Sequence, residues 1–140
     1  MGAEVVKVEP REGDMLRQWP PFRDGYSENF ASLNRNKRSI VLDLKDPGDN
    51  AVAAGLIERA DIVIENNRPG AMARLGLDFE RFRESHPKLI YCSLSAFGQT
   101  GPRAGEGGFD LTIQALSGIM SVTGEPDGGP VKCGVPVSDF

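Results

Sequence analysis

The chain has one histidine, His86, which stands at a predicted helix end just before Pro87 without a nucleophile to pair with. A side chain favoured there by the helix dipole is the expected role, so histidine-based acid–base chemistry has no obvious seat. Cysteine is almost as scarce. Cys92 and Cys133 are far apart and lack metal-ligand spacing, so both are expected as reduced thiols, with Cys92 a small buried hydrophobe inside "LIYCSLS". Ser93 and Ser95 have no G-x-S-x-G elbow, which argues against a serine hydrolase. The glycines of "AFGQTGPRAGEGG" fit neither the P-loop nor the dinucleotide fingerprint. No apolar run approaches a membrane span, and the start lacks a basic region followed by an apolar one. The basic residues are scattered and the net charge is −4, which leaves no footprint for nucleic acid.

What is present is ordinary for a globular chain: 140 residues, 39% apolar and 26% charged. A compact chain of that length buries roughly two thirds of its unfolded surface, enough for a core. The 17 glycines and 10 prolines imply many loops between short elements. Both ends read as cut: "AEVVKVE" is strand-like almost from the start, and "GVPVSDF" stops straight after a strand-like run.

Residues 3–9 and "RSIVLDLK" (38–45) read as strands. Between them, "PREGDMLRQWPPFRDGYSENF" reads as a long loop, with Trp19, Phe22 and Tyr26 either stacking on a ring or folding onto the core. "DPGDNAVAAGLIERA" opens a helix with Asp46 as cap, Pro47 in the first turn and Asp49 close behind. "DIVIEN" (61–66) is nearly all apolar, which predicts a strand buried on both faces. "RPGAMARLGL" and "DFERFRES" (78–85) predict short helices, the second capped by Asp78 and ended near Pro87. "KLIYCSLSAF" predicts a fourth strand. "FDLTIQALSGIMSVTG" predicts a helix with Leu111, Ala115, Leu116 and Ile119 on one stripe, and "VKCGVPVSD" a last extended run. Strand and helix alternate from residue 38 onward, so the expected class is α/β with a mostly parallel, Rossmann-like sheet flanked by helices.

In such sheets ligands sit beyond the carboxyl ends of the strands. The loops there carry Arg11, Arg17, Lys45 and Arg68, with Arg74 one helical turn on, a set of cations suited to a phosphorylated ligand. The helix start at "NNRPGA" is expected to add backbone N–H groups and a dipole. Asp139 taken alone reads as a cap or a solvated loop residue.

The blocks "GAEVVKVEP.EGD.LR", "NRNKRSIVLDLK", "ADIVIENNRPGAMARLGLDFE", "HPKLIYCSLSAFGQTGP" and "GGFDL..QALSGIMSVTGEPDGGPVKCGVPVSD" run in order along the chain. Together they resemble the family III CoA-transferases (the CaiB/BaiF family), which include formyl-CoA and carnitine-CoA transferases and α-methylacyl-CoA racemases. The resemblance implies that residues 1–140 are part of the large CoA-binding domain, without its first strand and its C-terminal remainder. It implies CoA transfer between an acyl-CoA thioester and a free carboxylic acid through an aspartyl-CoA intermediate. Asp139 would be the nucleophile. CoA would be a substrate and not a permanently bound cofactor, and no metal is expected.

Carried over residue by residue, Leu42 and Lys45 match adenine and phosphate contacts, and Arg74 matches a phosphate partner. Asn66, Asn67 and Arg68 fall on the block after the third strand, where Asn67 replaces the usual aromatic. Arg11 lies near a phosphate-binding arginine, although Pro10 is its strict positional equivalent. Ser95 to Gln99, including Phe97, would line the pantetheine route. Racemases of the family carry a histidine where this chain has Phe109, which favours the transferase over α-carbon racemisation or epimerisation. A non-catalytic CoA-binding or assembly fragment is the remaining alternative. The implied whole protein is an interlocked homodimer without nucleic-acid or membrane partners, expected in the cytoplasm, with mitochondrion and peroxisome left open. The 140 residues by themselves are expected to have little or no transferase activity.

Overall fold

A computed structural model describes residues 2–139. The chain is α/β, and its contacts divide into two units, Met1–Ala60 with Leu75–Pro87, and Asp61–Arg74 with Lys88–Phe140. Among the described residues no helix is long and apolar enough to cross a membrane.

In the first unit, β1 (Val5–Glu9) pairs in parallel with β4 (Lys37–Val41), Val5 facing Lys37 and Glu9 facing Val41. The amide of Leu42 donates to the Glu9 carbonyl at 3.0 Å and carries the ladder one step further. The segment between these strands, expected as an open loop, is structured. Asp14 caps a 3-10 turn over Met15–Gln18 by accepting from the Leu16 amide at 2.8 Å. A small hairpin follows, β2 (Phe22–Arg23) against β3 (Tyr26–Ser27). Its two-residue turn is Asp24-Gly25, with φ of 50° and 81°, the left-handed pair that a tight hairpin needs. Ser27 then caps α1 (Glu28–Leu33) by accepting from Phe30 N at 3.2 Å. Local cap and turn chemistry outweighed the proline and charge content that suggested a loop.

After β4 the chain enters α2 (Pro47–Ile57) as the sequence predicts. The Asp46 carboxylate accepts from the amides of Gly48 and Asp49 at 2.9 and 3.0 Å, with Pro47 just inside. Such a cap contributes about 1 kcal/mol. The Asn50 side-chain amide donates to Leu44 O at 3.1 Å and Leu75 O at 2.9 Å, tying the start of α2 to the later stretch of the same unit. That stretch includes α4 (Phe79–Phe82), ahead of which Asp78 makes no side-chain cap bond. Leu42, Ala53, Ala54, Ile57, Leu77 and Phe82 are the unit's buried apolar residues. His86 does more than sit at a helix end: its ring Nε2–H donates to the Ala60 carbonyl at 2.8 Å.

The second unit is built on β5 (Ile62–Glu65) paired in parallel with β6 (Ile90–Ser93), Ile62 facing Ile90 and Glu65 facing Ser93. Burial on both faces of β5 is not observed. Ile62 and Ile64 are 54% and 68% exposed, while Val63 and Glu65 are half-buried. α3 (Ala71–Arg74) is a single turn after β5. The long helix expected after "GGF" is interrupted. α5 (Asp110–Leu116) stops before Gly118, whose φ of 83° breaks it from a 3-10 turn over Ile119–Val122. The expected apolar stripe is not the buried one either, since Leu111 and Leu116 are 54% and 55% exposed and the buried residue of α5 is Gln114. The last extended run, 131–139, forms no strand. Cys92 and Cys133 are free thiols and half-buried.

Candidate functional site

The carboxyl ends of β1 and β4 bring two loops side by side, and Glu9 organises the first. Its side chain is 2% exposed and accepts from Arg17 Nε at 2.8 Å and Nη2 at 2.9 Å, Ser39 Oγ at 2.7 Å and the Asp14 amide at 3.0 Å. The Arg17 hydrogen bonds, helped by Ser39 and the Asp14 amide, outweigh the effect of burial and hold the Glu9 carboxyl at about 2. Arg17 also lies over the Phe30 ring at 3.9 Å. It is therefore committed to the fold, and the expectation of a free phosphate-binding cation is corrected at that position. Asp14 is held similarly. Burial opposes its ionisation, but the Lys7 and Leu16 hydrogen bonds prevail and its carboxyl lies below the ordinary value. Lys7 in turn donates to Asn34 Oδ1 at 3.0 Å.

This network fixes the Pro10–Gln18 loop and leaves Arg11 and Lys45 exposed, neither in an ion pair among the described residues. Leu42 is 6% exposed and packs in the core, so the part it can offer a ligand is its backbone.

The second unit holds the other candidates, on the loops beyond β5 and β6 and in the last segment of the chain. Beyond β5, the Glu65 carboxylate accepts from the Asn67 amide at 2.7 Å and turns the chain through Asn66, Asn67 and Arg68. The Asn67 side-chain amide lies 3.4 Å from Met72 Sδ. Arg74 folds back over the turn, where a Cβ on Gly70 (φ 78°) would stand 3.3 Å from its guanidinium. Since α3 is only one turn long, the helix dipole expected at "NNRPGA" is small, and the charge there comes from Arg68 and Arg74.

Beyond β6, Gln99 donates to Ser95 Oγ at 3.2 Å, and the Phe97 ring lies under the Arg103 guanidinium at 4.0 Å. Arg103 is itself held by Glu106 through hydrogen bonds of 2.7 to 3.0 Å, which lower the Glu106 carboxyl and raise the guanidinium. This loop and the start of α5 touch at Gly108, where a Cβ would meet Ala96 Cβ at 2.6 Å. Arg68 approaches the same place, its Nη2 being 4.0 Å from where a Cβ on Gly107 would stand.

The chain then comes back to α5. Asp110 Oδ1 accepts from the Ser138 amide at 2.9 Å, and Asp139 follows with its own amide on Pro136 O at 3.1 Å and its side chain exposed. Within one unit, then, Ala96 packs against the glycines leading into α5, Arg68 lies near them, and the amide of Ser138, next to Asp139, is bonded to Asp110 in the first turn. Sequence reasoning missed Glu9, Asp110 and Gln114, all polar residues whose importance lies in what they hold. The i, i+4 spacing of Asp110 and Gln114 was the only available signal, and it is common on helices.

Comparison with known proteins gives this geometry a context. The family model described as "CoA-transferase family III" matches residues 1–140. The chain belongs to that family. A succinate–glutarate CoA-transferase of Agrobacterium fabrum is 52% identical over 148 residues, covering 100% of this chain and 37% of the relative. An acetyl-CoA:oxalate CoA-transferase of Acetobacter aceti is 47% identical over 135 residues, covering 96% of this chain and 35% of that protein. The crystal structure of a CaiB/BaiF family protein from Brucella suis superposes with a TM-score of 0.93 at 43% identity, covering 99% of this chain and 38% of that one. The chain spans little more than a third of the length of the curated family III relatives it matches.

Proposed function

We propose that the protein to which these residues belong transfers CoA between an acyl-CoA thioester and a free carboxylic acid, with Asp139 as nucleophile. The observation that carries the reading is the position of Asp139. It follows a segment whose backbone is hydrogen-bonded to α5, in a chain matched end to end by the CoA-transferase family III model. The carboxylate attacks the thioester carbonyl, the C–S bond breaks, and CoA leaves as thiolate, giving a mixed anhydride. The thiolate then attacks the aspartyl carbonyl, releasing the first acid as carboxylate and leaving aspartyl-CoA. The acceptor acid runs the two steps in reverse, so atoms and charge balance without a redox partner. Splitting one exchange into paired acyl transfers is the gain from covalent catalysis.

In this reading Arg11, Lys45, Arg68 and Arg74 are each candidates for contact with the nucleotide phosphates. Leu42 contacts adenine through its backbone, Asn66 and Asn67 border the nucleotide, and Ser95, Phe97 and Gln99 line the pantetheine arm. Short dicarboxylic acids are the substrate class we favour, since the two relatives are described with succinate, glutarate and oxalate. A cytoplasmic, interlocked homodimer is the assembly we propose for the whole protein. Racemisation is disfavoured because Phe109, 82% exposed, occupies the position where a histidine would be needed.

The test is Asp139→Asn in the full-length protein, assayed with succinyl-CoA and glutarate. Loss of a covalent nucleophile predicts a fall in kcat of about a thousandfold or more, with CoA binding retained. Turnover close to wild type in that variant would overturn the proposal. Binding without turnover in the unmodified full-length protein would favour the non-catalytic alternative.

A further inference from the structure

We infer that Gln114 is a positioning residue for Asp139, acting with Asp110 as a brace on the segment that presents the carboxylate. The inference rests on the reading of Asp139 as nucleophile. It starts from an anomaly: a side chain that is 0% exposed in the second unit is a glutamine. Burying an amide is unfavourable unless its hydrogen bonds are met, and a leucine of similar size would avoid that cost. Here both ends of the amide are engaged. Nε2 donates to Asp110 Oδ2 at 2.6 Å and, more weakly, to Val135 O at 3.4 Å, while Oε1 accepts from the Cys133 amide at 2.8 Å. Asp110 passes the restraint on, its other oxygen accepting from the Ser138 amide at 2.9 Å.

The segment so held has no ladder of its own, since residues 131–139 form no strand. Two internal bonds tighten it, from the Val137 amide to Val135 O at 2.8 Å and from the Asp139 amide to Pro136 O at 3.1 Å. The backbone is therefore anchored at Cys133, at Val135 and at Ser138, directly before the nucleophile. A carboxylate that must meet a thioester carbonyl within about half an ångström gains from such a brace, and a displacement of about 1 Å costs on the order of a hundredfold in rate.

Two variants of the full-length protein test this. Gln114→Glu keeps the shape and the acceptor for Cys133 but sets a carboxylate against Asp110 and the Val135 carbonyl. Gln114→Leu removes every bond while filling much of the space. Both should lower kcat by about a hundredfold, with KM for succinyl-CoA within about twofold of wild type, because the defect lies in placing Asp139 and not in holding CoA. Amide hydrogen exchange at Cys133 and Ser138 should accelerate in the same variants. If Gln114→Leu does not fold, Gln114→Glu decides. Wild-type kcat, or a change confined to KM, overturns the inference. Asp139→Asn measured alongside separates the two ideas: transfer surviving that change overturns the nucleophile assignment, whereas transfer lost there but intact in the Gln114 variants overturns the brace alone.

Discussion

Glu9 shows at the scale of one residue how a loop that carries a candidate binding residue is held in place. Its carboxyl, held at about 2 by Arg17 first and by Ser39 and the Asp14 amide as well, is depressed from an ordinary 4.5. A depressed folded-state value means the carboxylate stabilises the fold above the ordinary value, and that this stability is lost as pH falls from about 4.5 through about 2. With allowance for the half-exposed Arg17, the contribution is on the order of 2 kcal/mol. Glu9→Gln should lower the urea midpoint at pH 7 and flatten its dependence on acid pH. An unchanged midpoint at pH 7 would count against the network. The same scale shows where sequence reading failed. Arg17 was legible as a basic loop residue, but nothing in the chain order reveals that Glu9, eight positions earlier, bonds its guanidinium through both carboxylate oxygens.

Elements follow local chemistry wherever that chemistry is strong. The Asp46-Pro47 start of α2 was readable because a cap and a first-turn proline act within a few residues. The Asp24-Gly25 turn was equally local and its signal was present, but the surrounding prolines and charges masked it. Gly108 belongs to a different class, since its necessity comes from a neighbour distant in sequence. A Cβ there would stand 2.6 Å from Ala96 Cβ and 3.2 Å from Ile113 Cδ1, and a β-carbon cannot rotate away. Gly108→Ala should therefore push the Ser95–Gln99 loop off the start of α5. We expect destabilisation of about 1–3 kcal/mol and a raised KM for acyl-CoA. A variant with wild-type melting and wild-type KM would show that this contact sets neither.

At the scale of the whole molecule, the strands carry apolar side chains that these residues leave uncovered. Val5, Val6 and Val8 are about two-fifths exposed, at 38%, 42% and 39%, and Ile62, Ile64 and Ile90 are more so, at 54%, 68% and 60%. Exposed apolar surface beside open strand edges favours association. The 140 residues produced alone should bind an apolar dye, self-associate and show little or no CoA transfer, while the full-length protein should be dye-silent and active. A monodisperse, dye-silent or active 140-residue chain would contradict this.

The α/β class, the parallel character of the main strands, the capped α2 and the family itself were determined by the sequence alone. Each depends on periodicity, local turn chemistry or residue order, and all three survive being read in one dimension. Only the tertiary structure decided that Arg17 is bound by Glu9, that the buried face of α5 carries Gln114 and not the leucines, and that Asp110 and Gln114 hold the backbone leading to Asp139. Those outcomes depend on which polar groups must find partners once water is excluded, and the partners lie 8 to 28 positions away along the chain.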